Sequence, residues 1–143
     1  MATTNVVNTT LFTFRGGAAG ATTVSLQNDV TWTINMEPRD ITTKDAGGYR
    51  KLLEGLRSYS IGVSGLVAFD SDLGPFTTTT GIEAVLRART QQTWILGTGV
   101  SGDVKLSGAG YWTSLEIASP AQEDNMTFSG TLEGDGQWYV GTF

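Results

Sequence analysis

Val30-Thr31-Trp32-Thr33-Ile34-Asn35-Met36 alternates between large apolar and small side chains, and Ser58-Tyr59-Ser60-Ile61-Gly62-Val63-Ser64 repeats the pattern further along. Side chains of a β-strand point to opposite faces at a period of two. Val30, Trp32, Ile34 and Met36 therefore share one face, and Tyr59, Ile61 and Val63, continued by Val67 and Phe69, share another. Both sets are expected to face a core. Leu66 falls on the second, small polar face. Working outward, strand-like runs recur at Thr9–Arg15, Thr23–Gln27, Val104–Ser107, Tyr111–Ile117, Met126–Leu132 and Gln137–Gly141. Gly108-Ala109-Gly110 and Asp135-Gly136 read as hairpin turns between them. One helix is expected at about 80–91. Thr80 stands at its cap, Glu83 at the capping-box spacing, and Ile82, Val85 and Leu86 share a face. The fold class is mainly β, a β-sandwich or partly closed barrel with one flanking helix. Residues 1–143 form a single domain, with 1–8 as a loose N-terminal arm.

Composition narrows the chemistry. The 143 residues include 19 Gly, no Cys and no His. Disulfides, thiolate catalysis, Cys/His zinc sites and Ser-His triads are thereby excluded. The formal net charge of −5 gives no overall basic footprint for nucleic acid. No run reaches the roughly 18 apolar residues of a membrane helix, and no basic-then-apolar leader opens the chain, so a soluble product of the cytoplasm is expected.

The segment Glu37–Arg57 fits neither period and reads as a long loop between the two best strands, well beyond the roughly 2–5 residues of a common hairpin. It holds Arg39, Lys44, Arg50, Lys51 and Arg57, mixed with Glu37, Asp40, Asp45 and Glu54. Residues 1–57 carry six bases and five acids, +1, whereas 58–143 carry three bases and nine acids, −6. Mixed charge around Tyr49, Leu52, Leu53 and Leu56 is the pattern of a contact surface.

Other motifs dissolve on inspection. Gly97-Thr98-Gly99-Val100-Ser101-Gly102 matches a dinucleotide fingerprint in letters, but the strand-like Val104–Ser107 follows where a helix is needed. Asp70-Ser71-Asp72-Leu73-Gly74 lacks the further oxygen ligands of a calcium loop. No catalytic residue, cofactor site or metal site is assigned, and an enzyme is not expected. Trp32, Trp94, Trp112 and Trp138 leave a carbohydrate-binding β-sandwich as the alternative. Trp32 is expected in the core. Trp112, opposite in parity to Tyr111, Leu115 and Ile117, is expected at a subunit contact.

Thr43-Lys44-Asp45-Ala46-Gly47-Gly48-Tyr49-Arg50-Lys51-Leu52-Leu53-Glu54-Gly55-Leu56-Arg57-Ser58-Tyr59-Ser60-Ile61 resembles the signature of the major tail protein, the tail-tube subunit, of long-tailed phages of the TP901-1 type. Lys51 stands where that family commonly has an acid. Tyr111–Ile117 and Phe128–Leu132 match more loosely. The resemblance implies a structural subunit of the virion tail, assembled in the bacterial cytoplasm as stacked hexameric rings. DNA crosses the lumen without specific binding. The tape-measure protein and tail terminator or baseplate proteins are the further partners, and no membrane is involved. The long loop would reach an adjacent ring through Arg39, Lys44, Asp45, Tyr49, Arg50, Lys51, Leu53, Glu54 and Arg57. Thr31, Thr33, Asn35, Ser58, Ser60 and Ser64, with Gly62, would face the channel.

Overall fold

The computed structural model describes residues 12–16, 22–23, 27–67, 82–122 and 124–143. Among these residues eight strands form one antiparallel sheet: β1 Thr13–Gly16, β2 Thr22–Thr23, β3 Gln27–Asp40, β4 Leu52–Leu66, β5 Gln92–Gly97, β6 Val104–Ala118, β7 Thr127–Gly134 and β8 Tyr139–Thr142. The order across the sheet is β2-β1-β5-β6-β7-β4-β3, with β8 paired to β6. The sheet curls into a half-barrel, so the partly closed barrel is the form realised. The Gln27 side chain bridges the gap. Its Oε1 accepts from the Phe14 N–H at 2.8 Å and its Nε2 donates to the Phe14 carbonyl at 3.1 Å. Helix α1, Ile82–Ala88, packs on β6 and buries Ile82 and Ala84. It stops at Arg89, whose φ is 58°, short of the expected 91; the proposed cap Thr80 lies outside the described residues.

The core follows the alternation of β4. Tyr59, Ile61 and Val63 are buried together with Phe14, Trp94, Leu96, Trp112, Phe128 and Leu132. The Trp94 Nε1–H donates to the Tyr59 hydroxyl at 3.2 Å, and that hydroxyl donates to the Ala109 carbonyl at 2.8 Å. Burial raises the Tyr59 pKa, and these hydrogen bonds oppose the shift only partly. On β3, Val30 and Trp32 pack against the core, but Ile34 and Met36 are exposed, contrary to the expectation that the whole apolar set is buried.

Four more expectations are corrected. The segment 37–57 is mostly not a loop. β3 continues to Asp40 and β4 begins at Leu52, so the two strands project as a paired arm with 41–51 as its tip. The register advances from Glu37↔Leu56 to Arg39↔Leu53, so Glu54 and Gly55 form a bulge opposite Pro38. A side chain on Gly55 would run into the Glu37 carbonyl, which is why glycine stands there. Next, Gly108-Ala109-Gly110 is not a turn but the middle of β6. A Cβ on Gly108 would lie 2.8 Å from the Tyr59 hydroxyl and 3.0 Å from the Trp94 ring, so this glycine makes room for aromatic rings. Asp135-Gly136 does turn, with Gly136 at φ 82°, but not into a hairpin. It interrupts one line of pairing, since β7 and β8 both run along the edge of β6 away from β5. Finally, Trp112 is core, edge-on to Phe14 at 5.7 Å. Pairing steps from Trp112↔Leu132 to Ser114↔Thr131, so Thr113 is an extra residue that resets the parity of β6.

Candidate functional site

Register assigns the faces. Thr31 lies opposite Gly62, Thr33 opposite Ser60 and Asn35 opposite Ser58. The rows continue as Gly62↔Thr131↔Ser114, Ser60↔Glu133↔Tyr111 and Ser64↔Ser129↔Glu116. Directly paired residues share a face. The candidate channel residues Thr31, Thr33, Asn35, Ser58, Ser60 and Ser64 therefore stand together on one face of β3-β4-β7-β6, opposite the core. Asp29, paired with Ser64, and Glu37, paired with Leu56, belong to it too. Its charged groups along these rows are the acids Asp29, Glu37, Glu116 and Glu133; beyond the rows the same alternation brings Arg39 of the arm and Lys105 of β6 onto this face. Sequence reading missed the β7 and β6 members. The alternation Ser129, Thr131, Glu133 was available in β7; the Thr113 bulge hid the β6 members. Arg57 lies opposite Met36, on the other face.

The edges of this four-stranded region are open among the described residues. β3 pairs only with β4, and β5 pairs with β6 no further than Gly110, leaving the outer edge of Tyr111–Ala118 free.

The arm carries the other candidates. Arg39 lies opposite Leu53 and Asp40 opposite Leu52. The tip is closed by the Ile41 N–H donating to the Lys51 carbonyl at 3.0 Å and the Lys51 N–H donating to the Thr42 hydroxyl at 2.8 Å. A 3-10 turn spans Lys44–Ala46, and Gly47 and Gly48 follow at positive φ. Contacts from Thr42, first its side chain and then its N–H at 2.9 Å, hold the Asp40 carboxyl below its ordinary value, with a smaller pull from Arg50. Arg50 and Asp40 are 3.6 Å apart and both exposed, so this pair adds little stability. Arg39, Lys44, Lys51 and Arg57 form no ion pair among the described residues. Tyr49 is 80% and Leu56 81% exposed. Cations without ion-pair partners among the described residues and exposed apolar groups thus stand side by side on the arm.

The carbohydrate alternative loses its platform. Trp94 and Trp112 are buried, and Trp32 and Trp138 stack edge-on at 6.1 Å against the core. Among the described residues no group of His, Cys, Asp or Glu could hold a metal ion, and no helix is long and apolar enough to cross a membrane. Asp70–Gly74 lies outside the described residues. The Gly97–Gly102 run leads into β6, not into a helix.

Comparison with known proteins agrees with this fold. The family model described as phage tail tube protein matches residues 7–139. The fold is similar to a chain in the virion of a native gene transfer agent particle, with TM-score 0.79 and 18% identity over 96% of this chain and 100% of that one. It is similar to a chain in the tail of an empty gene transfer agent particle with C6 symmetry, with TM-score 0.74 and 18% identity over 96% and 99%. It is also similar to the SPP1 tail tube, with TM-score 0.64 and 16% identity over 92% and 76%. No curated protein matches the sequence.

Proposed function

The chain belongs to the phage tail tube protein family, and from that premise we propose that six copies close into rings that stack as the hollow tube of a virion tail, through which DNA is delivered. One observation carries the reading: the sheet β3-β4-β7-β6 has a mainly small polar face, with Tyr111 and Leu56 as its large members, and two edges open among the described residues. Its strands alternate in direction. Rotation about a tube axis leaves strand direction unchanged, so β6 of one copy runs opposite to β3 of the next. The wall then closes by antiparallel pairing alone, and no open edge is left. Pro38, lacking an N–H, limits how far up the arm this seam extends. With the sixfold symmetry of the related gene transfer agent tail, four strands per copy make roughly 24 strands, a wall about 48 Å across at ordinary spacing and tilt.

The polar face lines the channel in this reading. Thr31, Thr33, Asn35, Ser58, Ser60 and Ser64 supply small neutral groups, and Asp29, Glu37, Glu116 and Glu133 supply the charge. Phosphate affinity comes mainly from Lys and Arg, so rows that hold carboxylates and no base, with Arg39 and Lys105 lying beyond them, let DNA slide. The arm, with Arg39, Lys44, Asp45, Tyr49, Arg50, Lys51, Leu53, Glu54 and Arg57, grips a neighbouring copy. The role is structural and not catalytic. Its further partners are a tape-measure protein in the lumen and terminator or baseplate proteins at the tube ends, with assembly in the bacterial cytoplasm. Affinity with phages of the TP901-1 type rests on the segment Thr43–Ile61. Negative-stain microscopy of the purified protein tests the proposal: rings or tubes support it, and a monomer that stays dispersed at high concentration overturns it.

A further inference from the structure

Among the described residues the exposed large apolar side chains fall into two groups. Seven lie on β3, β4 and the tip that make the arm; the other four, Val104, Tyr111, Tyr139 and Val140, lie on β6 and β8. We propose that the outer edge of β8, flanked by Val104, Tyr139 and Val140, is the seat for the arm of a neighbouring copy, which adds the free edge of β4 to it as an antiparallel strand. The inference rests on the tail-tube reading and names what the arm grips.

Backbone pairing leaves both edges unused. β4 pairs with β7 only from Ser60 onward, so among the described residues the side of Leu52–Tyr59 that faces away from β3 has no strand beside it. Among the described residues β8 pairs with β6 alone. Directions match as well. β4 is antiparallel to β7, while β7 and β8 are both antiparallel to β6, so β8 runs opposite to β4. Rotation and translation along one tube axis preserve that relation between copies. Side chains fit strand addition, in which the backbone supplies affinity and alternate side chains grip the two faces. Val140 shares a face with Val104 through the pairs Leu106↔Val140 and Val104↔Thr142, and Tyr139 lies on the other face opposite Ser107. Tyr139 is 60% and Val140 66% exposed, unusual for an apolar edge strand that meets only water. Charge also favours the contact. Residues 135–143 hold Asp135 and no base, whereas the arm brings Arg39, Lys44, Lys51 and Arg57, which form no ion pair among the described residues. Patches that match each other but sit on different parts of one surface give head-to-tail growth.

The chain has no cysteine, which makes cross-linking clean. Single-cysteine variants L53C or L56C are mixed with Y139C or V140C, assembled and mildly oxidised. A disulfide-linked dimer is expected in at least one mixture and in none of the variants alone. In parallel, amide exchange of the unsubstituted protein is expected to slow by about tenfold or more at Tyr139–Thr142 on assembly. Normal tubes with neither the dimer nor the slowing overturn this seat and leave the tail-tube reading standing. Should the variants not assemble, the exchange measurement alone decides. If the unsubstituted protein forms no rings or tubes, the tail-tube reading falls and the seat with it.

Discussion

Thr31→Lys puts a cation in the middle of the polar face. Thr31 is exposed, its row partners are Gly62, Thr131 and Ser114, and that row is otherwise uncharged. Gly62 opposite leaves room for the longer side chain, so the stability of the unassembled protein should stay within about 0.5 kcal/mol. In a sixfold ring the change adds one lysine per copy around one circumference of the channel. Each phosphate neutralised contributes roughly −0.9 to the slope of log affinity against log salt, so a fully engaged ring gives a slope near −5. Affinity for a short duplex should then fall by about 10³ between 50 and 200 mM salt. The assay is cosedimentation of a duplex oligonucleotide with assembled tubes across that range. Unsubstituted tubes should retain little DNA, and Thr31→Lys tubes should retain it in low salt and release it in high salt. Normal tubes whose DNA retention and salt dependence are unchanged by the lysine would refute the placement of this face on the channel.

Further outcomes follow from the core and the arm. Trp112→Ala should cost the unassembled protein about 3–5 kcal/mol in urea unfolding, because Trp112 is buried against Phe14; a subunit-contact residue would leave that value unchanged. Tyr59→Phe strands the Trp94 N–H, while the Ala109 carbonyl keeps the Asp135 N–H at 2.9 Å, and should cost about 1–3 kcal/mol. The Tyr59 pKa is raised by folding from an ordinary value of 10.0, so the protonated form is favoured in the folded chain. Its contribution is complete below the unfolded pKa and is lost as pH rises through the folded one, and Tyr59→Phe should remove that alkaline loss from the stability–pH curve. Gly55→Ala should leave core unfolding intact but abolish tubes in micrographs, since the new methyl collides with the Glu37 carbonyl at the arm's bulge. Arg50→Glu with Arg57→Glu should likewise preserve the circular dichroism of the subunit and stop polymerisation; normal tubes from the double variant would remove these cations from the interface.

The alternation around Val30–Met36 and Tyr59–Val63 was enough to find the two long strands, their polar face and the resemblance carried by the segment between them. What stayed hidden has local physical causes. A bulge at Thr113 adds one residue and inverts a period-two reading, which moved Trp112 from the core to the surface. Gly108 and Gly110 look like turn residues because no Cβ is present, yet here that absence admits Tyr59, Trp94 and Leu132 into a continuous strand. The arm escaped because its pairing residues are charged or exposed on both faces, so no hydrophobic period marks strands that bury nothing within one subunit. Ile34 and Met36 kept their alternation but run past the core. Among the described residues no hydrophobic neighbour covers them, so nothing local marks where burial ends.

An electron cryomicroscopy map of the assembled protein at side-chain resolution tests the central claim most directly. The channel wall should consist of antiparallel strands with Thr31, Thr33, Ser60, Thr131 and Glu133 turned inward and Arg57 turned away. A channel lined by helix α1, by the Ile34 and Met36 face or by rings of Arg57 would contradict it.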